Sequence, residues 1–484
     1  MKYNKYIILA AIGFTFYACD TEEFLNPLPD SAVVADAFFK NDASLLAGIM
    51  GIYDAIQGVN DNTTSSLINS NRGVQFEYLF TEHRSDNTKS ATLEGSKADF
   101  HRYLVDPNNV QSEDYYQSMY EVIFRANNVL NYIDVANASN KAKYSAEAKF
   151  LRAYAYFNLV RLFGDVPLVT EVVGAEDNEK LFTRVPVAQI YQLIESDFKE
   201  AISNLDNTYN SRASKAAAQG LLAKVYLTQD NRNYAGAAQL CQDIISSGKY
   251  GLQANFSDVF YKELNNEIIF AIQYIAGNTQ ESQGFSAEFT STFRQGKDDG
   301  LNIVNANLIA DFVKYGGKRT SVSYVTFGTS NEVAKFLPEG SNITTTPPTY
   351  GLNARNAGND WIILRYADVL LMHAEAILAG GAETTSSAAI DSYMKVRVRA
   401  GFNPVTDRPA VLSKSDLLVE RRVELAFENQ RFYDLVRFGV ADAVLSAHAA
   451  SLGYGSYNPR KLLLPIPSRE INLSKGILTQ NPGY

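Results

Sequence analysis

Cys19 is the residue whose surroundings most directly specify chemistry. Lys2 and Lys5 precede an apolar run from Tyr6 to Tyr17 that ends at Ala18-Cys19. A basic start, a short apolar core and a small residue before the cut read as a secretory signal peptide over residues 1–18. The run is too short to span a bilayer as a helix, which takes about 20 residues. Phe16 sits where a peptidase of the A-x-A type needs a small residue. Cleavage before a cysteine that then accepts lipid accounts for the site better, so Cys19 is the expected first residue of a bacterial lipoprotein. The competing reading is an ordinary secreted protein with an incidental cysteine. With Cys19 lipidated, Cys241 stands alone and no intrachain disulfide is expected. Cys241 lies in the apolar-spaced run 237–245 and reads as a buried structural thiol.

The other residues able to do chemistry form no recognisable centre. His83, His101, His373 and His448 belong to no H-E-x-x-H motif and to no cluster with zinc spacing. His373 falls on an apolar helical face and reads as a core histidine. Gly316-Gly317-Lys318-Arg319 lacks both the earlier glycine and the Ser/Thr after lysine that a phosphate loop needs. There is no G-x-S-x-G elbow, and Asp298-Asp299 read as a solvated loop rather than a catalytic pair. The segment 420–437, ERRVELAFENQRFYDLVR, is dense in arginine and acid. It reads as a structural brace, with arginine forks holding carboxylates on neighbouring helices. No enzymatic activity, cofactor or metal is expected.

The net charge of −9 becomes −11 once residues 1–18 and their two lysines are removed. An acidic body repels phosphate backbones, which argues against nucleic-acid binding. It also argues against broad adsorption to anionic lipid, so any membrane attachment falls to the lipid at Cys19.

Most of the body has helical period. Residues 19–34, with Asp20, Glu22, Glu23, Pro27 and Pro29, make a tether in which helix is disfavoured. A helical scaffold is expected over about 35–59, 113–249 and 361–448. Within it, 214–248 has the small residues at the crossing and the length of a tetratricopeptide hairpin, and 365–402 repeats the scheme. Trp361 is expected to pack beneath a helix running from 362 to 376. Residues 60–112 and 250–360 are polar or irregular, and stretches of that length inside a compact protein are usually functional. The fold class is therefore mostly α: a helical-hairpin scaffold with a loop-rich insert, in one body over 35–484.

Several motifs in order resemble the SusD/RagB family of nutrient-binding outer-membrane lipoproteins of Bacteroidetes. They are EAKFLRAYAYFNLVRLFGDVPLV at 147–169, LRYADVLLMHAEA at 364–376, VRVRAG at 396–401, LVERRVELAFENQRFYDLVRFG at 418–439, and the ending with LLPIPSREI and QNPGY. The resemblance implies a SusD-like fold on tetratricopeptide hairpins, with a non-catalytic binding face. It implies a partner, a SusC-like TonB-dependent β-barrel transporter that the lipoprotein caps from the outer face of the outer membrane. It also implies a glycan cargo, or a peptide in RagB-like members. A purely helical-repeat envelope scaffold is the reading from another class.

A carbohydrate site needs flat aromatic faces beside polar side chains. The candidates are Phe76, Tyr78, Arg84, Asp86 and Asn87 in the first polar stretch. In the insert they are Tyr274, Phe285, Phe289, Arg294, Lys297 and Asp298. The single tryptophan adjoins a structural motif, so tyrosine and phenylalanine would have to supply the stacking surface.

Overall fold

The computed structural model describes residues 35–59, 71–174, 176–289, 301–342, 349, 351 and 355–484. The signal segment, the tether with Cys19, and Arg294, Lys297 and Asp298 lie outside them.

The scaffold is a continuous helical array. Asp42–Gln57, Val110–Asn131, Ala138–Phe163, Val187–Asn204, Lys215–Thr228, Tyr234–Ser246, Tyr366–Leu378 and Ser387–Arg399 each pack on the next. The insert separates Tyr234–Ser246 from Tyr366–Leu378 in sequence, yet these two helices touch directly. The insert thus projects from an unbroken array. Ala138–Phe163 lies at the centre, and nearly every side chain from Phe150 to Phe163 is buried. Such a helix is packed on all sides, so small Ala146, Ala153 and Ala155 are what let its neighbours approach. Gly164, at φ 72°, ends it in a conformation that glycine tolerates. Arg152 braces three helices at once, donating to Asp197 at 2.8 Å and to Asn127 at 2.8 Å.

The β structure is sparse. Thr88–Lys89, Ile303–Val304, Ser330–Val333 and Tyr324–Phe327 form one sheet in that order. Ile268–Ile272 pairs antiparallel with Trp361–Arg365, setting Ile272 opposite Trp361 and Ile268 opposite Arg365. Gly220 permits this ladder to sit on the array, because a Cβ there would lie 2.3 Å from Leu364 Cδ2.

Four local expectations change. The helical run at 35–59 is two helices, Ala35–Phe38 and Asp42–Gln57, because Asn41 and Ser44 form a capping box that starts the second afresh. Residues 361–365 are strand, not helix: Trp-Ile-Ile-Leu-Arg pairs with Ile268–Ile272, and the helix begins at Tyr366. Trp361 is 2% exposed and packs edge-on to Phe285 at 5.0 Å. The last part of the scaffold expected over 361–448 is interrupted: it holds Lys414–Glu424, Arg431–Arg437 and Ala441–Ser451, with positive φ at Phe427 and Asn429 breaking the motif between the first two. Finally, residues 73–88 of the polar stretch are not a surface loop but are buried throughout.

That last burial has partners 335 to 348 residues further along the chain. Asp86 accepts from Arg431 at 2.8 Å and lies 2.9 Å from Arg422, which also donates to Asn87 at 2.9 Å. Glu82 accepts from the Asn429 backbone at 3.1 Å, and Thr81 donates to the Asn429 side chain at 2.8 Å. The polar stretch and the arginine-rich motif answer each other. The rest of that motif pairs over long range as well. Arg421 holds Asp368 and Asp434. Glu424 receives Arg319, Arg365 and Arg399, and Glu428 receives Arg365 and Lys335. The brace is structural, as expected.

Candidate functional site

Two large cavities open in the described structure. One, of about 700 Å³, lies between Ala441–Ser451 and the sheet edge. Ala443, Val444, Ala447 and Leu452 face Ile303 and Val304, with Asp86, Lys89 and His448 at one end and no Phe, Tyr or Trp in its walls. The Asp86 carboxylate there is already taken by Arg422 and Arg431, which hold it well below the usual carboxylate range against the effect of burial.

The other is a cleft of about 890 Å³ built by the insert. Its walls come from residues 257–264, from Ile268–Ile272 and the turn after it, and from 334–341 and 358–362. Phe260, Ala271, Leu337 and Ile362 supply apolar wall, and Gln273, Asn359 and Ser341 supply polar side chains. The short helix Asp258–Tyr261 is held by Asn265, whose amide donates to the carbonyls of Asp258, Val259 and Lys262 at 3.1, 3.1 and 2.8 Å. Leu264, at φ 45°, turns the chain back toward the strand. Asn359 donates to Leu337 carbonyl at 3.0 Å and ties the opposite walls together.

Tyr261 presents the most accessible aromatic face in the cleft. Its side chain is 44% exposed, yet its hydroxyl is fixed, donating to Ala334 carbonyl at 2.6 Å and accepting from Leu337 N at 3.2 Å. A ring anchored at its tip and open on its face loses little entropy when something stacks on it. Ile275 adds an exposed apolar group at 58%. Four carboxylates line the same cleft: Glu263, Glu281, Glu339 and Asp360. Asp360 accepts from Tyr274 N at 3.1 Å; burial, with Glu263 adding, pushes its carboxyl up to about 7.

The cleft is joined to the scaffold at two points. Gln57, closing the first long helix, donates to Gln273 carbonyl at 2.9 Å and accepts from the Tyr274 hydroxyl at 2.8 Å. At the rear, Glu267 binds Arg365 and Arg399, linking the strand to the buried brace.

The candidates named from sequence fare differently. Phe76, Tyr78, Arg84, Asp86, Asn87, Tyr274, Phe285 and Phe289 are all buried. Phe285 and Phe289 stack in a core cluster with Phe336, and Phe289 meets Tyr78 edge-on. Arg84 donates to the carbonyls of Lys461 and Leu462 and lies over Phe432. Burial takes these side chains off the surface, and their hydrogen bonds are made inside the protein. Only Tyr274 and Asp86 reach a cavity wall, one in each cavity. Tyr261, Glu263, Ile275, Glu339 and Asp360 were not anticipated. The one signal was the Phe260-Tyr261 pair, in which a single helical turn puts one ring inward and the next outward.

The comparisons with known proteins agree along the chain. A model of the SusD family matches residues 335–484, and a second, described as starch-binding associating with the outer membrane, matches 23–227. A SusD-like protein of Bacteroides ovatus is 26% identical over 90% of this chain and 82% of its own. SusD-like protein P2 of Formosa agariphila is 26% identical over the whole of both. The chain belongs to the SusD/RagB family. Among solved structures, a laminarin-binding SusD-like protein matches with TM-score 0.74 and 25% identity over 92% of this chain and all of that one. The surface glycan-binding protein A of Bacteroides fluxus matches with TM-score 0.75 and 25% identity over the same shares. The mostly helical body with few small sheets is the SusD-like fold of these neighbours.

Proposed function

We propose that this SusD-like protein is a non-catalytic, lipid-anchored binding protein of the outer membrane that captures an oligosaccharide in the insert cleft. It then delivers that cargo to a SusC-like TonB-dependent transporter. The observation that carries the site is Tyr261, an anchored ring with an open face in a cleft of about 890 Å³, flanked by carboxylate and amide groups that can receive or donate hydrogen bonds to hydroxyls. Sugar rings offer an apolar face and a hydroxyl edge, and this cleft answers both. Family membership supports the reading, as do two structural relatives described as binding laminarin or surface glycan. Cys19 would supply the anchor, and the outward-facing position rests on the family resemblance.

The test is a binding screen of the purified protein against polysaccharides and oligosaccharides, repeated with Tyr261→Ala. Truncating a stacking aromatic should weaken binding by about 1 kcal/mol or more; because Ala also removes the hydroxyl's two contacts with the 334–337 wall, Tyr261→Phe, which keeps the ring and loses those contacts, is measured beside it. Unchanged affinity would remove the cleft from consideration. No new reducing ends should appear on long incubation, and their appearance would overturn the non-catalytic reading. A peptide pool belongs in the same screen, because cleft carboxylates would also suit a basic peptide.

A further inference from the structure

On the reading of the insert cleft as the glycan site, we infer that its cargo is uncharged: the cleft selects neutral, hydroxyl-rich glycans and rejects uronate or sulfated ones. The charged side chains lining the cleft are Glu263, Glu281, Glu339 and Asp360, against Lys262 alone. Lys262 is already committed, with its ammonium 2.9 Å from Asp258. None of the four carboxylates has an ion pair among the described residues. Together in one cleft, on the walls that also carry Tyr261, they give its lining an excess of negative charge.

Such carboxylates act in two directions. An ionised carboxylate oxygen is an acceptor only, whereas Asp360, raised to about 7, is in part a neutral acid that can also donate; sugar hydroxyls do both, so a neutral glycan can meet either form without removing any ion pair. A uronate or sulfate ester brings its own negative charge into the same space. Displacing water as the cleft fills lowers the local dielectric and sharpens that repulsion. Specificity then comes from rejection as much as attraction. The buried apolar wall at Phe260, Leu337 and Ile362 offers an anion no compensation.

The experiment compares laminarin, xyloglucan and mannan with alginate, polygalacturonate and a sulfated galactan. Binding is measured at low and high salt with the unaltered protein, with Tyr261→Ala, and with a triple variant carrying Glu263→Gln, Glu281→Gln and Glu339→Gln. These three glutamates are exposed or half-buried, and the variant should fold. The expected result is a neutral ligand bound at least about tenfold more tightly than any anionic one. That gap should narrow several-fold in the triple variant and with added salt. Anionic glycans bound as tightly as neutral ones would overturn the inference while leaving the glycan reading intact. A preference that persists unchanged in the triple variant would overturn its assignment to these carboxylates. Loss of binding in Tyr261→Ala reports on the cleft independently of charge. Silence toward every glycan would overturn the cargo reading and this inference together.

Discussion

Glu424 and Glu263 are both glutamates on the edge of a helical segment, but they live in opposite electrostatic worlds. Glu424 is fully buried and takes Arg319, Arg365 and Arg399 at once. Glu263 is exposed at the cleft and is paired with no described cation. The same contrast separates Asp368, with Lys224 at 2.7 Å and Arg421 at 2.8 Å, from Asp360, whose partner is a backbone amide at 3.1 Å. A charge taken out of water must be matched inside the protein, whereas a charge at a cleft can wait for a ligand. The brace fixes where the insert sits on the array; the cleft keeps its polar groups available.

The largest effect should come from breaking the brace. Arg365 serves Glu267, Glu424 and Glu428 at 2.6–2.8 Å, all nearly inaccessible to solvent. Arg365→Ala leaves those carboxylates without their shared partner and should cost about 3–5 kcal/mol, read as a lower urea midpoint. A loss below about 1 kcal/mol would show that the network is not what holds insert to scaffold. Gly220→Ala should come next. Its new Cβ would meet Leu364 at 2.3 Å, and overpacking of this kind costs about 1–3 kcal/mol. An unshifted thermal midpoint would mean that the Leu364 side chain yields freely.

The two groups of acids should also answer pH in opposite senses. Burial opposes charging Asp368, but Lys224 and Arg421 overcome it and hold the carboxyl well below the usual range. Its folded-state pKa is lowered, so the stability it contributes is present above about pH 4 and is lost as pH falls below that. Asp360 is raised to about 7. Its contribution is present below about pH 4 and is lost as pH rises to about 7. Asp360→Asn, which keeps an acceptor for Tyr274 N, should therefore stabilise the protein at pH 8 by about 1–2 kcal/mol after solvent screening, and not at pH 4. Thermal midpoints across that range decide the matter. An equal gain at both values would trace the effect to packing.

Legibility in the sequence followed how local the physics was. The helices around 146–163 and 217–245 could be read because alanine spacing and apolar period act within a few turns. So could the buried fates of Cys241, His373 and Trp361, each set in an apolar run. The strand Trp361–Arg365 could not, because Ile-Ile-Leu suits a buried helix or a buried strand and the choice was made by Ile268–Ile272, nearly a hundred residues earlier. The polar run 76–87 misled for the same reason at longer range. Its acids and amides read as surface when the partner is assumed to be water, and here the partners are Arg422, Asn429 and Arg431. The cleft was the least legible part. Tyr261 differs from its buried neighbour Phe260 only in which way one short helix is turned, and that is set by the Asn265 cap and the wall at 334–337.

The smallest predicted effect is the one that most sharpens the contrast. Glu263→Gln removes a charge from a surface position with no ion pair among the described residues, so unfolding free energy should move by no more than about 0.5 kcal/mol. Glu424→Gln makes the same chemical change in the brace, where three arginines lose a shared counter-charge, and should be several-fold more costly. Measuring both by urea denaturation under one buffer isolates environment from chemistry. If Glu263→Gln destabilised as much as Glu424→Gln, the cleft acid would be holding up the fold. The division between acids that hold the insert in place and acids left open to a ligand would then collapse.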